Sequence, residues 1–189
     1  KWQQPVDRSE WHMPAHLVNA YYDPQQNQIV FPAAILQAPF YDLSQSSSAN
    51  YGGIGAVIAH EISHAFDTNG AAFDEFGSLN NWWTDADFKA FKQRTDQVVA
   101  QFDGLESYGA KVNGKLTVSE NVADLGGLAA ALAAAKLDDD FSARAFFESW
   151  ATIWRMKARP EYMQLLAASD PHGPAKLRVN VQVKNFDEF

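Results

Sequence analysis

The chain of 189 residues is long enough for one domain with a buried core, and 47% hydrophobic and 13% aromatic residues are typical of a folded protein. A formal net charge of -8 disfavours nucleic acid and anionic membrane surfaces as partners. No apolar run approaches the roughly 20 residues that a membrane helix needs, and the lack of cysteine excludes disulfides within the chain.

The first third of the chain is predicted to contain two short strands and one helix. Residues 1–18 look irregular, and strand-like segments near 18–22 and 28–31 are separated by a turn at 23–27. A polar loop is predicted at 44–50, followed by a loop or tight entry at Tyr51-Gly52-Gly53. A helix with apolar residues at helical spacing comes next.

The rest of the chain is predicted to be mainly helical, after a loop at 70–81. The predicted helices are Thr84 to about Phe102, a helix that carries Glu120 and Asp124 and runs to Ala135, 141–156 and 161–167. We therefore expect an α+β fold, mostly helical with a small β-sheet edge, in which residues 1–189 form a single domain.

The helix before the 70–81 loop contains His60-Glu61-Ile62-Ser63-His64, which has the H-E-x-x-H spacing. Positions i and i+4 of a helix differ in direction by only about 40°, so both imidazoles face one side. Such a pair can bind zinc, and Glu61 is placed to accept a proton from a water at the metal. A pattern with only three fixed residues also occurs by chance. The pentapeptide alone is therefore equally compatible with a hydrogen-bonded polar cluster that binds no metal.

A catalytic zinc ion usually takes three protein ligands and keeps a fourth position for water. The candidate third ligand is Glu120. Asp124, at i+4 from it, and Asp67, three residues after His64, are candidates to accept a hydrogen bond from a ligand histidine. Each has an alternative interpretation. Thr117 to Glu120 fits a capping box, and both aspartates can be ordinary helix-surface carboxylates.

Several segments together resemble the signatures of the neprilysin family of zinc endopeptidases, most of all its bacterial endopeptidase O members. These segments are Asn19–Tyr22, Asn27–Gln37, His60–Asp67, Asn113–Thr117, Glu120–Asp124, Asp170–Pro174 and Arg178–Asn180. The resemblance extends from about Pro5 to the end of the chain. It implies a zincin-like catalytic region built around the H-E-x-x-H helix.

The resemblance implies roles at the metal and at the substrate. The implied ligands of one zinc ion are His60, His64 and Glu120. Glu61 is implied as the general base, with Asp67 and Asp124 orienting the histidines. The implied substrate contacts are Asn19 and Ala20 to the peptide backbone, His172 to the oxyanion and Arg178 to a carbonyl. Without the resemblance, we would interpret Asn19 as a strand-end residue, and His172 and Arg178 as surface residues.

The implied reaction is hydrolysis of oligopeptides, on the amino side of a hydrophobic residue. Zinc lowers the pKa of a water, Glu61 takes its proton, and the hydroxide attacks the carbonyl. His172 and zinc stabilise the charge that develops on the carbonyl oxygen. The main alternative is a catalytically incompetent peptide-binding fragment or module of the same fold. A structural metal domain is disfavoured because such sites more often use cysteine.

Family members are several times longer and place a large helical region over the active site. We therefore expect this chain, which begins at Lys1, to be the C-terminal part of a longer peptidase whose N-terminal region is missing here. The predicted location is cytoplasmic, and the absence of cysteine is compatible with a reducing cytoplasm without establishing it. A signal region outside this chain would make an extracytoplasmic location possible.

Overall fold

The computed structural model describes residues 5–189, which form seven α-helices and two small antiparallel hairpins. The helices are α1 (Ser47–Asn50), α2 (Ala56–Ser63), α3 (Asp85–Phe102), α4 (Val118–Ala135), α5 (Ala143–Ile153), α6 (Pro160–Ser169) and α7 (Ala175–Asn180). The strands are β1 (Tyr21–Asp23), β2 (Gln28–Val30), β3 (Glu106–Ser107) and β4 (Ala110–Lys111). Shorter helical segments are Ala33–Ile35, Tyr51–Gly55 (a π-helical turn), His64–Phe66, Gly70–Ala72 and Gln182–Asn185.

The α+β prediction is confirmed, with a few local differences. The predicted loop at 44–50 contains α1, and α7 and the second hairpin were not predicted. Of the stretch predicted to be irregular, residues 5–18 contain turns and bends without a helix or strand. The remaining residues, 1–4, lie outside the part of the chain that the structure describes.

The glycines before the metal-binding motif were predicted to form a loop or tight entry, but they lie in the π-helical turn that runs into α2. A Cβ at Gly52 would lie 2.0 Å from the carbonyl oxygen of Phe146, and one at Gly53 would lie 2.4 Å from that of Phe40. Glycine is therefore required here by close backbone packing, which the local sequence does not reveal.

Helices α2 and α4 cross with their backbones almost in contact. A Cβ at Gly127 of α4 would lie 2.7 Å from the backbone nitrogen of His60 and 2.9 Å from the carbonyl oxygen of Ala56. This close crossing places the first turn of α4 beside the H-E-x-x-H motif.

The main core lies where the apolar face of α4 meets α5. Its buried members are Ala56, Leu128, Ala131, Leu132, Ala135, Phe146, Phe147, Trp150 and Val183. Full burial of a large apolar side chain stabilises the fold by about 1.5–3 kcal/mol, so this cluster fixes α4 in place. On the other side of α4, Val98 and Phe102 of α3 pack with Val112.

The β1–β2 hairpin packs near the start of α2. Tyr21 pairs with Val30 and Asp23 with Gln28 in antiparallel register. Ala20, just before β1, is buried with Val57 of α2 in a small apolar cluster. No helix between residues 5 and 189 has the length and apolar character needed to cross a membrane.

Candidate metal centre and active site

The two motif histidines face each other at the end of α2. His60 is in α2, and His64 begins the short helical segment that continues it. Their Nε2 atoms lie 3.0 Å apart. Nδ1 of His60 is 2.8 Å from Oδ1 of Asp124, and Nδ1 of His64 is 2.6 Å from Oδ2 of Asp67. The Nδ1 atom of His64 is hydrogen-bonded to Asp67, whereas Nδ1 of His60 lies close to Asp124 without an aligned hydrogen bond. With Nδ1 directed at a carboxylate, each ring, once neutral, would present its Nε2 lone pair to the space between them.

Glu120 completes a triangle of possible metal ligands from the first turn of α4. Its Oε2 lies 3.4 Å from Nε2 of His60 and 3.5 Å from Nε2 of His64. Two atoms bound to one tetrahedral zinc ion are about 3.3 Å apart, given bond lengths of about 2.0–2.1 Å. The Oε2 atom is buried and makes no aligned hydrogen bond among residues 5–189. The three residues therefore fit a zinc ion in spacing and in donor chemistry.

Glu61 stands beside this triangle. One of its carboxylate oxygens lies within 4.8 Å of a ring nitrogen of His60 and of His64. That distance suits a group that exchanges a proton with a water between the ligands. Burial raises the pKa of the Glu61 carboxyl, while the neighbouring histidines oppose the shift. A raised pKa makes the carboxylate a stronger base.

The capping-box interpretation of Glu120 is wrong. Thr117 makes no side-chain cap hydrogen bond at the start of α4, and its Oγ1 instead accepts from Nδ2 of Asn121. The surface interpretation of Asp67 and Asp124 is also wrong, because their side chains are only 3% and 0% exposed.

The buried carboxylates favour positive charge at the centre of the site. Burial opposes a charge on His64, but Asp67 and Glu120 outweigh it and raise the His64 pKa to about 10. Burial likewise opposes the negative charge on Asp124, but Arg178 outweighs it and lowers the Asp124 pKa to about 2. The pKa of Glu120 is lowered too, against its burial, by the imidazoles of His172 and the two motif histidines. A proton on an imidazole or a bound divalent cation would supply this positive charge.

The sequence alone suggested that Arg178 is a surface residue, and the structure shows that it is not. It is buried, and its Nε and Nη2 donate to the two oxygens of Asp124 at 2.7 and 2.6 Å. Its guanidinium carbon lies 3.6 Å from the ring centroid of Trp154, a cation–π contact. The Arg178–Asp124 pair thus supports the orientation of His60 and leaves Nη1 for other partners.

His172 lies in the loop between α6 and α7. Its Nδ1 is 2.7 Å from Oδ1 of Asp170, and its Nε2 is 3.2 Å from Oε2 of Glu120. Its side chain is 46% exposed. Burial opposes a charge on its ring, but Glu120 outweighs it and raises the His172 pKa. A ring that keeps its proton can donate to an oxygen placed near the metal ligands.

One cavity of about 410 Å³ contains every residue that the sequence singled out for the site. Its lining includes Asn19, Ala20, His60, Glu61, His64, Asp67, Glu120, Asp124, His172 and Arg178. Asn19 and Ala20 were predicted within a strand but precede β1. Asn19 is exposed and Ala20 is buried, so the exposed residue belongs to the rim of the cavity.

The sequence analysis missed two features of the cavity. The first is its apolar wall, formed by Ile35, Phe40, Val57, Trp150 and Trp154. The i, i+4 spacing of Trp150 and Trp154 is typical of core packing, and no local signal places them in a site. The second is Ser119, whose hydroxyl contacts Asp67.

The profile described as Peptidase family M13 matches residues 19–189. The chain belongs to peptidase family M13. It is 60% identical over 189 residues to the neutral endopeptidase of Lactococcus lactis subsp. lactis, covering 100% of this chain and 30% of that protein. The resemblance to the neprilysin family is thereby confirmed.

Solved structures of the M13 family agree with the fold. The crystal structure of PepO from Lactobacillus rhamnosis superposes with a TM-score of 0.91 at 53% identity, over 97% of this chain and 29% of that chain. Mycobacterium tuberculosis zinc metalloprotease Zmp1, in complex with an inhibitor, superposes with a TM-score of 0.92 at 44% identity, over 98% of this chain and 31% of that chain. The prediction of a zincin-like fold is confirmed, and the chain spans about 30% of the length of these relatives.

Proposed function

We propose that this chain is a single catalytic domain of an M13 zinc metalloendopeptidase that hydrolyses oligopeptides. The observation that carries the proposal is the triangle of Nε2 of His60, Nε2 of His64 and Oε2 of Glu120, with sides of 3.0, 3.4 and 3.5 Å. These three residues would hold one zinc ion. A bound zinc ion polarises a peptide carbonyl and lowers the pKa of a water from 15.7 towards about 7.

Glu61 would act as the general base. Its carboxylate faces both histidines from inside the cavity, and its raised pKa favours taking a proton from the attacking water. After the carbonyl is attacked, Glu61 passes the proton to the leaving amine. One residue thus serves as base and then as acid, and returns to its starting state.

His172 would stabilise the oxygen on which negative charge develops. Its Nδ1 is held by Asp170, so its Nε2 points towards the ligand triangle. Such a donor acts mainly in the transition state, because negative charge develops on the carbonyl oxygen there and not in the bound substrate.

The substrate would lie along the exposed rim and place one side chain against the apolar wall. The backbone before β1, at Asn19 and Ala20, would offer groups to an extended peptide. Arg178 retains Nη1 for a substrate carbonyl, since its other two nitrogens hold Asp124. The wall that contains Trp150 and Trp154 favours a hydrophobic residue on the carboxyl side of the cleaved bond.

The rest of a family-length protein would complete this cavity, since the relatives extend well beyond the matched region. The cytoplasmic location stays a prediction, to be tested by cell fractionation.

Zinc content and cleavage of a quenched peptide library, each with and without a chelator, test the proposal. We expect one zinc ion per chain and cleavage that the chelator abolishes and added zinc restores. Bound zinc without cleavage would favour the incompetent peptide-binding alternative. Cleavage that survives full removal of metal would contradict the mechanism.

A further inference from the structure

Ser119, the residue before Glu120, contacts the carboxylate that orients His64. Its hydroxyl donates to Oδ2 of Asp67 at 2.5 Å, and the same oxygen lies 2.6 Å from Nδ1 of His64. The Ser119 oxygen also accepts from Nδ2 of Asn69 at 3.1 Å. Ser119 is buried, so water does not readily replace these bonds.

The other hydrogen bonds that the described residues make to the Asp67 side chain come from its own segment of chain. Its Oδ1 accepts from the backbone nitrogens of Asn69 and Gly70, each at 2.7 Å. Among the hydrogen bonds that residues 5–189 make to Asp67, the one from Ser119 alone comes from α4. Glu120 follows in the same helical turn, so this bond connects the His64 side of the ligand triangle to the Glu120 side.

We propose that Ser119 is a positioning residue of the proposed zinc site. By fixing Asp67 against the first turn of α4, its hydroxyl sets how His64 and Glu120 face each other. Zinc sites tolerate deviations in ligand distance of only about 0.2 Å, so a shift of this turn weakens the hold on the metal. The inference rests on the proposed function only in requiring that the chain binds zinc.

The carboxylate that faces His60, the other motif histidine, is held by stronger hydrogen bonds than Asp67. Asp124, which faces His60, accepts two charge-assisted hydrogen bonds from Arg178. Asp67 receives one hydroxyl hydrogen bond at the equivalent place. The two carboxylates are therefore each anchored by a further side chain, and the Ser119 anchor is the weaker.

The first experiment measures the zinc dissociation constant of Ser119→Ala by competition with a chromophoric chelator. Loss of a partner that supports a ligand typically weakens metal binding about 10–100-fold, and we expect about 10-fold here. The matched control is Ser48→Ala. Ser48 is also buried, and its hydroxyl accepts a hydrogen bond from the backbone nitrogen of Ser142, outside the cavity.

The control separates positioning from general stability. Each variant is also unfolded thermally in its metal-free form. We expect both substitutions to lower the unfolding temperature, and only Ser119→Ala to weaken zinc binding. Equal zinc affinity in wild type and Ser119→Ala would overturn the inference.

A double-mutant cycle tests whether Ser119 acts through Asp67. If it does, Ser119→Ala adds no further loss of zinc affinity once Asp67→Ala is present. Losses that simply add would overturn the inference, because Ser119 would then act independently of Asp67.

Ser119→Thr provides the rescue, and keeps the question answerable if the alanine variant does not fold. Threonine keeps the hydroxyl, so we expect zinc affinity close to that of the wild type. A folded threonine variant that binds zinc weakly would count against the hydroxyl as the cause.

None of these measurements requires peptide cleavage. Unaltered zinc affinity in Ser119→Ala would remove the inference and leave the proposed function intact. A wild-type chain that binds zinc but cleaves no peptide would contradict the proposed function. The effect of Ser119→Ala on zinc affinity could still be interpreted.

Discussion

The two sides of the cavity are built differently. On the metal side, His60 and Asp124 lie on helices that cross in close contact at Gly127. Among the residues proposed to contact substrate, here called the substrate side, Asn19 precedes a three-residue strand, and His172 lies in a loop with 46% of its side chain exposed. The first side is fixed by the core, and the second by a few local hydrogen bonds.

This difference separates two tasks. Metal ligands must keep their spacing, so they lie on packed helices whose partner carboxylates are themselves anchored. Groups that meet a substrate must be reachable, and so they lie on connecting segments at the surface. We therefore expect substitutions of the metal ligands and of the groups that hold them in place to change zinc binding, and those on the substrate side to change turnover alone.

His64→Ala should cause the largest effect, because it removes one corner of the ligand triangle. We expect loss of tightly bound zinc and of activity, measured by metal analysis of the dialysed protein. His16→Ala is the matched control, because His16 lies outside the cavity lining. One tightly bound zinc ion per chain in His64→Ala would contradict the ligand assignment.

Glu61→Gln should lower catalysis without affecting zinc binding, although Glu61 lies beside the metal ligands. The amide keeps the shape of the side chain but cannot take the proton, so kcat should fall about 10²–10⁴-fold. Zinc content should stay that of the wild type. Turnover close to wild type would remove Glu61 from its role.

His172→Ala tests the substrate side. Loss of one transition-state donor typically costs about 10²–10³-fold in kcat, and zinc affinity should change little. A variant that loses zinc together with activity would show that His172 supports Glu120 instead of the substrate.

Gly127→Ala tests whether the helix crossing sets the ligand spacing. The added methyl group would meet backbone of α2, so the helices must separate. We expect a loss of about 1–3 kcal/mol in the free energy of unfolding, with weaker zinc binding. Gly126→Ala is the control, because its methyl group would meet no backbone, only Oγ of Ser63 at 2.7 Å, which can rotate away, and Cβ of Ser63 at 3.3 Å. Equal effects of both substitutions would argue against the crossing as the cause.

The smallest expected effect is the release of protons on zinc binding. His64 has a pKa of about 10 in the metal-free chain and is therefore protonated at pH 7. Zinc needs the neutral ring, so binding releases this proton, and zinc affinity falls as the pH is lowered. Titration calorimetry in two buffers of different ionisation enthalpy measures the number released. An enthalpy that is the same in both buffers would contradict the prediction.

Much of the site was predictable because helical periodicity is a local property. The spacing of His60 and His64 places both rings on one side, and the spacing of Glu120 and Asp124 does the same on α4. The family resemblance then supplied roles for residues such as His172 that have no local signal. The helices other than α1 and α7 follow from apolar periodicity and, for α3, from the capping box of Thr84 and Asp87.

Contacts between distant segments were not predictable, because they depend on how the helices pack. The sequence by itself determined which side chains share a helix face, since that needs only 3.6 residues per turn. Only the tertiary structure decided that Arg178 is buried on Asp124, that Ser119 holds Asp67, and that Trp154 lies in the cavity wall. The physical reason is the glycine crossing of α2 and α4, which sets the distance between two faces that the sequence had defined separately.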